Sequence, residues 1–366
     1  EAGSSTEATP KTETAATASR SWNNMSPVSS MDLLYADQFS VDYYENDISL
    51  ITIGDTDQFL LLPEGMSAPV GLPDSIKILQ KPVKNIYLVA TSAMDDFIHL
   101  DAMDLIALSG TKDTGWYLPE AKTAMEEGKI AYAGKYSAPD YEKILSSDCG
   151  LAVESTMIYH TPEVKEQLER LGIPVLVERS SYEGHPLGRM EWIKLYGAMM
   201  NKEEEAAAFF DSQAQIIEKL KDFTNTEKTM AFFYINTSGS PVVRNPKDYI
   251  SSMIDIAGGR NAFADLQDDS GKTSVSITME EFYNTAVDAD YLIYNTSIDA
   301  SVKSLDDLLA KDSLLADFKA VKDGNVWITD NSMYQHTDTI GELINDFNLM
   351  LTGGSEEDMT FLHKLN

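Results

Sequence analysis

The strongest constraint on this chain is an alternation that runs twice and is interrupted once. Short apolar runs bounded by turn residues, IYLVA (86–90), LIALSG (105–110), IAYAG (130–134), LAVES (151–155) and IPVLVE (173–178), alternate with helix-length stretches such as YLPEAKTAMEEG and TPEVKEQLERLG. The alternation restarts with MAFFYIN (230–236), PVVRN (241–245), YLIYN (291–295) and VWITD (326–330). Near-continuous apolar strands separated by amphipathic helices specify mostly parallel sheets covered on both faces. From 187 to 223 no strand pattern occurs. LGRMEWIKLYGAMM reads as one helix. Asn201, with Glu204 three residues on, reads as the cap of a second, KEEEAAAFFDSQAQIIEKLKDF, which contains no Gly or Pro. At full length that second helix would reach roughly 33 Å, enough to cross between domains.

The expected fold is therefore α/β, with two Rossmann-like lobes, each with a central, mostly parallel sheet, joined by one long α-helix. The N-terminal lobe is placed at 31–200, the connecting helix at 201–224 and the C-terminal lobe at 225–366. Ahead of the first alternation, FSVDYYENDISLITI reads as a hairpin turning at Asn46-Asp47, followed by FLLL (59–62).

Charge excludes one class of partner. Lys and Arg total 28 against 59 Asp and Glu, a net charge of −31, and nucleic-acid binding needs a basic surface to neutralise phosphate. The lone cysteine, Cys149, forms no intramolecular disulfide and reads as a small core residue. No segment approaches the ~18 apolar residues that span a bilayer. The first twenty residues contain no Val, Ile, Leu, Met or aromatic residue, and they lack the apolar region of a signal peptide. Residues 1–30 are read as a disordered tether below a lipid anchor at a missing N-terminus; an added expression tail is the alternative.

Two helix starts carry acids at similar places. YSAPDYEKIL precedes the strand LAVES, and SITMEEFYNTAVDAD precedes the strand YLIYN, so Glu142 and Glu280 occupy comparable positions in the two lobes. An acid in a first helical turn contributes about 0.3–1 kcal/mol against the helix dipole, and Thr278 with Glu281 forms a capping box. That explains acids at helix starts without explaining their repetition.

From about 80 to 350 the chain resembles the substrate-binding proteins of ABC importers for ferric siderophores, haem and vitamin B12, the class with a rigid helix between lobes. GKYSAPDYEKI, LGIPVLVE, the GAMMNKEEEAAAFF junction, DIAGGRNAF, SITMEEFYNTAVDADYLIY and AVKDGNVWITD carry the resemblance, through their order along the chain. It implies a monomeric, extracytoplasmic, membrane-tethered lipoprotein that is not an enzyme. Such a receptor captures an iron chelate or corrinoid between its lobes and has no intrinsic cofactor. In that family one glutamate on each lobe docks into an arginine pocket of the permease dimer, and Glu142 and Glu280 match those positions. The family often shows Pro-Asp before the strand that follows the docking helix, where this chain reads SSDCGLAV.

Ligands in open parallel sheets bind beyond the carboxyl ends of strands. Those ends offer Trp116, Tyr117, Lys135, Tyr136, Ser155, Tyr159, His160, Arg179, Tyr182, His185 and Arg189 in the first lobe, and Tyr234, Arg244, Tyr334 and His336 in the second. Aromatic rims suit a flat or bulky ligand, and the cations suit an anionic chelate or a haem propionate. His160, His185 and His336 are the histidines placed to ligate metal, whereas His99 reads as mid-helix and structural, and Asp95-Asp96 as solvated charges or caps. Within SYEGHPLGRMEWIKLYG, the groups Glu183, His185, Arg189 and Glu191 serve either ligand contact or support of the hinge.

Two other functions remain open at this point. A direct Zn or Mn receptor of similar shape would draw on His160, His185, Glu183 and His336. A metal-dependent hydrolase finds no GxSxG, P-loop, HExxH or strand-following GxGxxG.

Overall fold

A computed structural model describes residues 20–366. Three main sheets make up the β-structure. The first joins β1 (Ser29–Ser30), β2 (Phe39–Tyr44), β3 (Ile48–Ile53), β4 (Asp57–Leu62) and β5 (Ile76–Gln80) in that order, antiparallel except for the parallel β4–β5 pair. Asn46 and Asp47 turn β2 into β3 with left-handed φ of 64° and 60°, a conformation that short polar side chains tolerate.

Alternation along these strands sends Phe39, Val41, Ile51, Ile53, Phe59 and Leu61 to the main core. The opposite parity, Ile48, Leu50, Leu60 and Leu62, is also buried, with Trp22, Met25, Met66 and Leu72 packed against it. The sheet is thus covered on both faces, and the chain segment around Trp22 is one of the covers. This corrects the expected start of order at Met31: residues 20–30 hold fixed contacts, with Trp22 and Tyr44 ring centroids 5.5 Å apart. The expectation for residues 1–19 lies outside the described residues.

The second sheet has the all-parallel order β12-β11-β6-β7-β8, formed by β6 (Ile86–Leu88), β7 (Ile106–Ser109), β8 (Ala131–Tyr132), β11 (Leu151–Ser155) and β12 (Val175–Glu178). Between β8 and β11 a small antiparallel pair, β9 (Gly134–Lys135) and β10 (Ala138–Pro139), leads into the helix Tyr141–Ser146. Gly134 sits at φ +87°, and a Cβ there would lie 2.3 Å from the Ala138 carbonyl oxygen, so only glycine permits this closure.

The third sheet has the order β16-β14-β13-β17-β18-β19, with β13 (Thr229–Ile235), β14 (Pro241–Arg244), β16 (Ser274–Ser276), β17 (Tyr291–Tyr294), β18 (Val326–Thr329) and β19 (Leu362–Lys364). The short β15 (Arg260–Asn261) pairs with β13. Its centre, β13-β17-β18, is parallel, and its edges β14, β16 and β19 are antiparallel. The α/β architecture of two sheet-centred lobes expected from the sequence is present.

The connection between lobes differs in detail. LGRMEWIKLYGAMM breaks at Glu191 into helices Pro186–Met190 and Trp192–Met200. Glu191 is held there because its carboxylate accepts the amides of Leu34, Tyr35 and Ala36, each at 2.8 Å. Asn201 ends the helix before it, in a left-handed conformation (φ 57°), rather than capping the next. The long helix is Glu203–Glu218, 16 residues rather than the expected 22-residue span. That gives roughly 24 Å. It ends where the chain turns to set Phe223 on Gly258, at whose φ of +90° a Cβ would lie 2.3 Å from the Phe223 ring.

This strut does not stand alone. The helix Ile340–Thr352 packs along it. One contiguous core runs from Phe39 and Phe59 through Trp192, Tyr196 and Phe210 to Ile254 and Phe347. Burying each such large side chain is worth about 1.5–3 kcal/mol, so the two halves share stabilisation across the connection.

Candidate functional site

The loops at the carboxyl ends of the second and third sheets meet. The segment from Asn331 to Thr339, after β18, crosses to the first lobe. Gln335 Oε1 accepts the Tyr117 amide at 2.8 Å, and Gln335 Nε2 donates to the Gly115 carbonyl at 2.9 Å. Thr337 Oγ1 donates to the Ser92 carbonyl at 2.7 Å, and the Asp338 amide donates to Asp95 Oδ2 at 2.9 Å. The lobes are closed on each other.

Beside these bridges lies a cationic, aromatic nest. Arg244, at the end of β14, forms an ion pair with Asp248, which also caps the helix Tyr249–Ile256 by accepting the Ser251 amide. The Tyr334 hydroxyl accepts from Asn295 Nδ2 at 2.8 Å and from Arg244 Nη1 at 3.4 Å, and its own proton has no acceptor among the described residues. Burial pushes the Tyr334 phenol up to about 12, so it is a neutral donor at ordinary pH. Asn295 Oδ1 is buried without a partner among the described residues.

Arg189, on the helix Pro186–Met190, lies 4.6 Å over the Tyr249 ring and is 7% exposed. Among the described residues no carboxylate lies within 4.0 Å of its guanidinium. A buried cation without a counter-charge is costly and favours an anion beside it. The space among Arg189, Tyr249, Met333, Tyr334 and Thr337 is about 10 Å³. A neighbouring interlobe cavity of about 190 Å³ is lined by Tyr182, Glu183, Asn245, Lys247, Asp248 and Asp268 among others.

A second grouping stands at the lip of the first lobe. Arg179 Nη1 donates to the Tyr159 hydroxyl at 3.1 Å, its Nε and Nη2 donate to Gln38 Oε1, and its guanidinium lies 4.8 Å from the Tyr182 ring centroid. Tyr159 and Tyr182 are both exposed, so this edge offers two aromatic faces and a cation.

Other expected ligand residues take different roles. Trp116 is buried, and its Nε1 donates to Ser109 Oγ at 3.3 Å, which makes it a core residue. Tyr117 is exposed and contributes its amide to the Gln335 bridge. Lys135 is exposed on β9, and Tyr136 packs against the first-lobe core. Ser155 Oγ accepts the Met157 amide, capping the turn that ends at the exposed His160. Tyr234 packs on the core of the second lobe. His185 Nδ1 accepts the Leu187 amide at 3.1 Å and its ring stacks on Tyr35 at 4.6 Å, so it caps a helix, and burial lowers its pKa. Glu183 accepts from the amides of Asp37 and Gln38 and from Trp192 Nε1. In the SYEGHPLGRMEWIKLYG stretch, Glu183, His185 and Glu191 each bond a backbone amide, and Arg189 alone of the four lies over an aromatic of the other lobe.

His160, His185 and His336 do not converge on one point. The described residues bring together a different set, Asp95, His99 and Asp338, with one ligand atom of each within 4.8 Å of the others. Asp95 and Asp96 are buried, not solvated as their sequence suggests. The spacing of Asp95 and His99 on one helical face was the available signal; Asp338, distant in sequence, gave none.

Glu142 and Glu280 are exposed in the first turns of helices Tyr141–Ser146 and Met279–Ala286. Asp140 Oδ1 caps the first by accepting the Lys143 amide at 3.0 Å, and Thr278 Oγ1 caps the second by accepting the Glu281 amide at 3.1 Å. The caps are other residues, so both glutamates are spare charges.

The model of the periplasmic binding protein family matches residues 90–333 of this sequence. The chain belongs to the periplasmic binding protein family. An uncharacterized lipoprotein of Methanocaldococcus jannaschii is 25% identical over 334 residues, covering 83% of this chain and 77% of the relative. Among solved structures, a periplasmic haem binding protein from Pseudomonas aeruginosa superposes with a TM-score of 0.59 at 16% identity, covering 77% of this chain and 98% of that one. The petrobactin-binding protein YclQ from Bacillus subtilis gives a TM-score of 0.59 at 18% identity, with 75% and 93% coverage. The family and these neighbours are solute-binding proteins, not enzymes. Among the described residues no helix is long and apolar enough to cross a membrane.

Proposed function

We propose that this periplasmic binding protein is the extracytoplasmic receptor of an ABC importer, lipid-anchored at the membrane, and that it carries an anionic metal chelate. The lipoprotein relative supports the anchor, and the haem- and petrobactin-binding neighbours support the ligand class. The observation that carries the reading is Arg189: a cation 7% exposed, seated on Tyr249 at the interlobe cleft without a carboxylate partner among the described residues. An anionic group docked there gains a charge-assisted hydrogen bond from the guanidinium and meets the free proton of Tyr334. The Arg179, Tyr159 and Tyr182 edge would bear on the flat or bulky body of the chelate.

Docking to the permease pair is assigned to Glu142 and Glu280. Both are exposed and neither is spent on capping its helix. Ligand class is tested by a thermal-shift and absorbance screen with ferric siderophores, haem and cobalamin. A melting point that rises with ligand concentration above Kd for one class, and falls back in Arg189→Gln, supports the reading. No response to any of the three classes overturns it.

A further inference from the structure

Beneath the cross-lobe bridges lies a group of carboxylates that the chelate site does not use. Asp95 and Asp96 on helix Met94–His99, Glu178 at the end of β12, and Asp338 are 2%, 4%, 4% and 1% exposed. Buried charges are tolerated only when a counter-charge and hydrogen bonds compensate them. His99 is the cation at hand, with Nδ1 2.9 Å from the Asp95 carbonyl oxygen, 3.2 Å from Asp338 Oδ2 and 3.5 Å from Asp95 Oδ1. His336 Nδ1 is 4.0 Å from Asp95 Oδ1. No Lys or Arg among the described residues reaches any of the four carboxylates. Glu178 accepts from Ser92 Oγ at 2.7 Å and the Ser180 amide at 2.8 Å, and Asp95 Oδ2 from the Asp338 amide, so Asp96 and Asp338 are the carboxylates with least compensation.

Two unsatisfied groups point into the same space. The Tyr196 hydroxyl, on helix Trp192–Met200, is fully buried and has no hydrogen-bond partner among the described residues. Its ring lies 5.3 Å from that of Phe97, which follows Asp96 on helix Met94–His99. Beyond its ion-pair distance to His99, Asp338 Oδ2 has no hydrogen-bond partner among the described residues.

We propose that Asp95, His99 and Asp338 bind a divalent first-row transition ion that fastens the Asn331–Thr339 segment of the second lobe onto the first. Two carboxylates and an imidazole suit Mn²⁺, Fe²⁺ or Zn²⁺ better than Ca²⁺ or Mg²⁺, which take oxygen ligands. The ion takes the place of the Nδ1 proton that His99 otherwise donates to the Asp95 carbonyl; that hydrogen bond breaks and the proton leaves to solvent. Asp95 is held for this role by the Asp338 amide at 2.9 Å, and the His99 ring packs against Phe209 at 4.3 Å. Asp96, Glu178 and Tyr196 then lie where water ligands of the ion need hydrogen bonds, the arrangement that tunes metal affinity. Tyr334, in the chelate cleft, is on the same segment as Asp338, so the ion and the closed cleft stabilise each other. This is a resident ion and not the cargo, because it sits under the closing contacts.

The test uses tag-free protein stripped with a chelating agent and titrated calorimetrically with ZnCl₂ or MnCl₂, with no chelate ligand present. The expected result is one saturable ion per chain and a melting point that rises with the ion. Asp95→Asn and Asp338→Asn should each weaken binding by about tenfold or more. His363→Gln, on the edge strand β19, should leave the isotherm unchanged. Circular dichroism verifies folding of each variant. Co²⁺ absorption bands, lost in His99→Gln, give a second readout of the imidazole ligand. The proposal is overturned if the stripped wild type shows no stoichiometric binding, or if both aspartate variants bind as it does. Ion binding is read without chelate, so either outcome leaves the receptor reading to its own test.

Discussion

The Arg189 guanidinium lies 4.6 Å over the ring of Tyr249, so a cation of one lobe rests on an aromatic of the other. A cation–π contact offsets only part of the cost of burying the charge, about 0.5–2 kcal/mol. Under the proposed function, an anionic ligand supplies the rest. Arg189→Gln keeps length and hydrogen-bonding capacity but removes the charge. Affinity for the chelate should fall by about 1.5–3 kcal/mol, roughly ten- to a hundredfold, with the free protein no less stable. Calorimetry with the ligand found in the screen measures this, and unaltered affinity would move the anion site elsewhere.

Glu142→Arg and Glu280→Arg separate delivery from capture. Each glutamate is exposed, and its helix is capped by a neighbour. Either substitution should leave ligand affinity and melting point nearly unchanged, as is usual for surface sites, within about 0.5 kcal/mol. Uptake through the cognate permease should drop, most in the double variant. Wild-type transport by the double variant removes the docking role.

Much of the architecture was legible because parallel strands buried on both faces are near-continuous apolar runs, and such runs mark all five strands of the second sheet and the centre of the third. The edges were harder. β5 carries Lys77 and Gln80, β16 is Ser-Val-Ser, and β19 is Leu-His-Lys, so none shows an apolar run. The capping error at Asn201 arose because the same residue type that caps a helix start also tolerates the left-handed conformation that ends one. At the site, position relative to strand ends pointed to Arg179, Arg189, Arg244 and Tyr334, which stand at the cleft or its lip. It also pointed to Trp116, whose ring folds back to Ser109. Tyr249 escaped notice because it begins a helix beyond β14, and the Asp95–Asp338 relation spans most of the chain.

Buried acids make stability depend on pH in one direction. Burial pushes Asp95 and Glu183 up to about 7, and Glu154, whose two oxygens lack partners, up to about 8. Burial alone would lower His99, but Asp338 and Asp95 outweigh it and raise it to about 9. Each shift means that the folded chain holds more protons than the unfolded one, so stability falls as pH rises. The carboxyls contribute that loss from about pH 4 to 8 and His99 from about 6.5 to 9. Asp290 and Asp299 shift the other way, but their unfolded titration is complete above about pH 5. Burial lowers His185 and His336, whose contribution instead grows with pH until their unfolded titration ends near pH 7. In chelating buffer the melting point should therefore decline from about pH 7 to pH 9. Glu154→Gln should show a shallower decline and exceed the wild type at the alkaline end. A flat profile contradicts the assignment.

For the chelate capture proposed above, the closed cleft must open. Its interlobe cavity of about 190 Å³ is smaller than the ~300–1,000 Å³ that encloses a drug-sized ligand. The shared core along Glu203–Glu218 resists a wide swing, so solution scattering should change little between free and loaded protein. Gln335 is the residue to alter, because one side chain makes two of the cross-lobe hydrogen bonds, to Tyr117 and Gly115. Gln335→Ala loses about 0.5–1.5 kcal/mol per bond from the closed form, which shifts population toward the open one. The association rate should therefore rise by about threefold or more, and the dissociation rate should rise with it. Stopped-flow absorbance of the chelate reads both. Unchanged rates in both directions would show that opening does not pass through this contact.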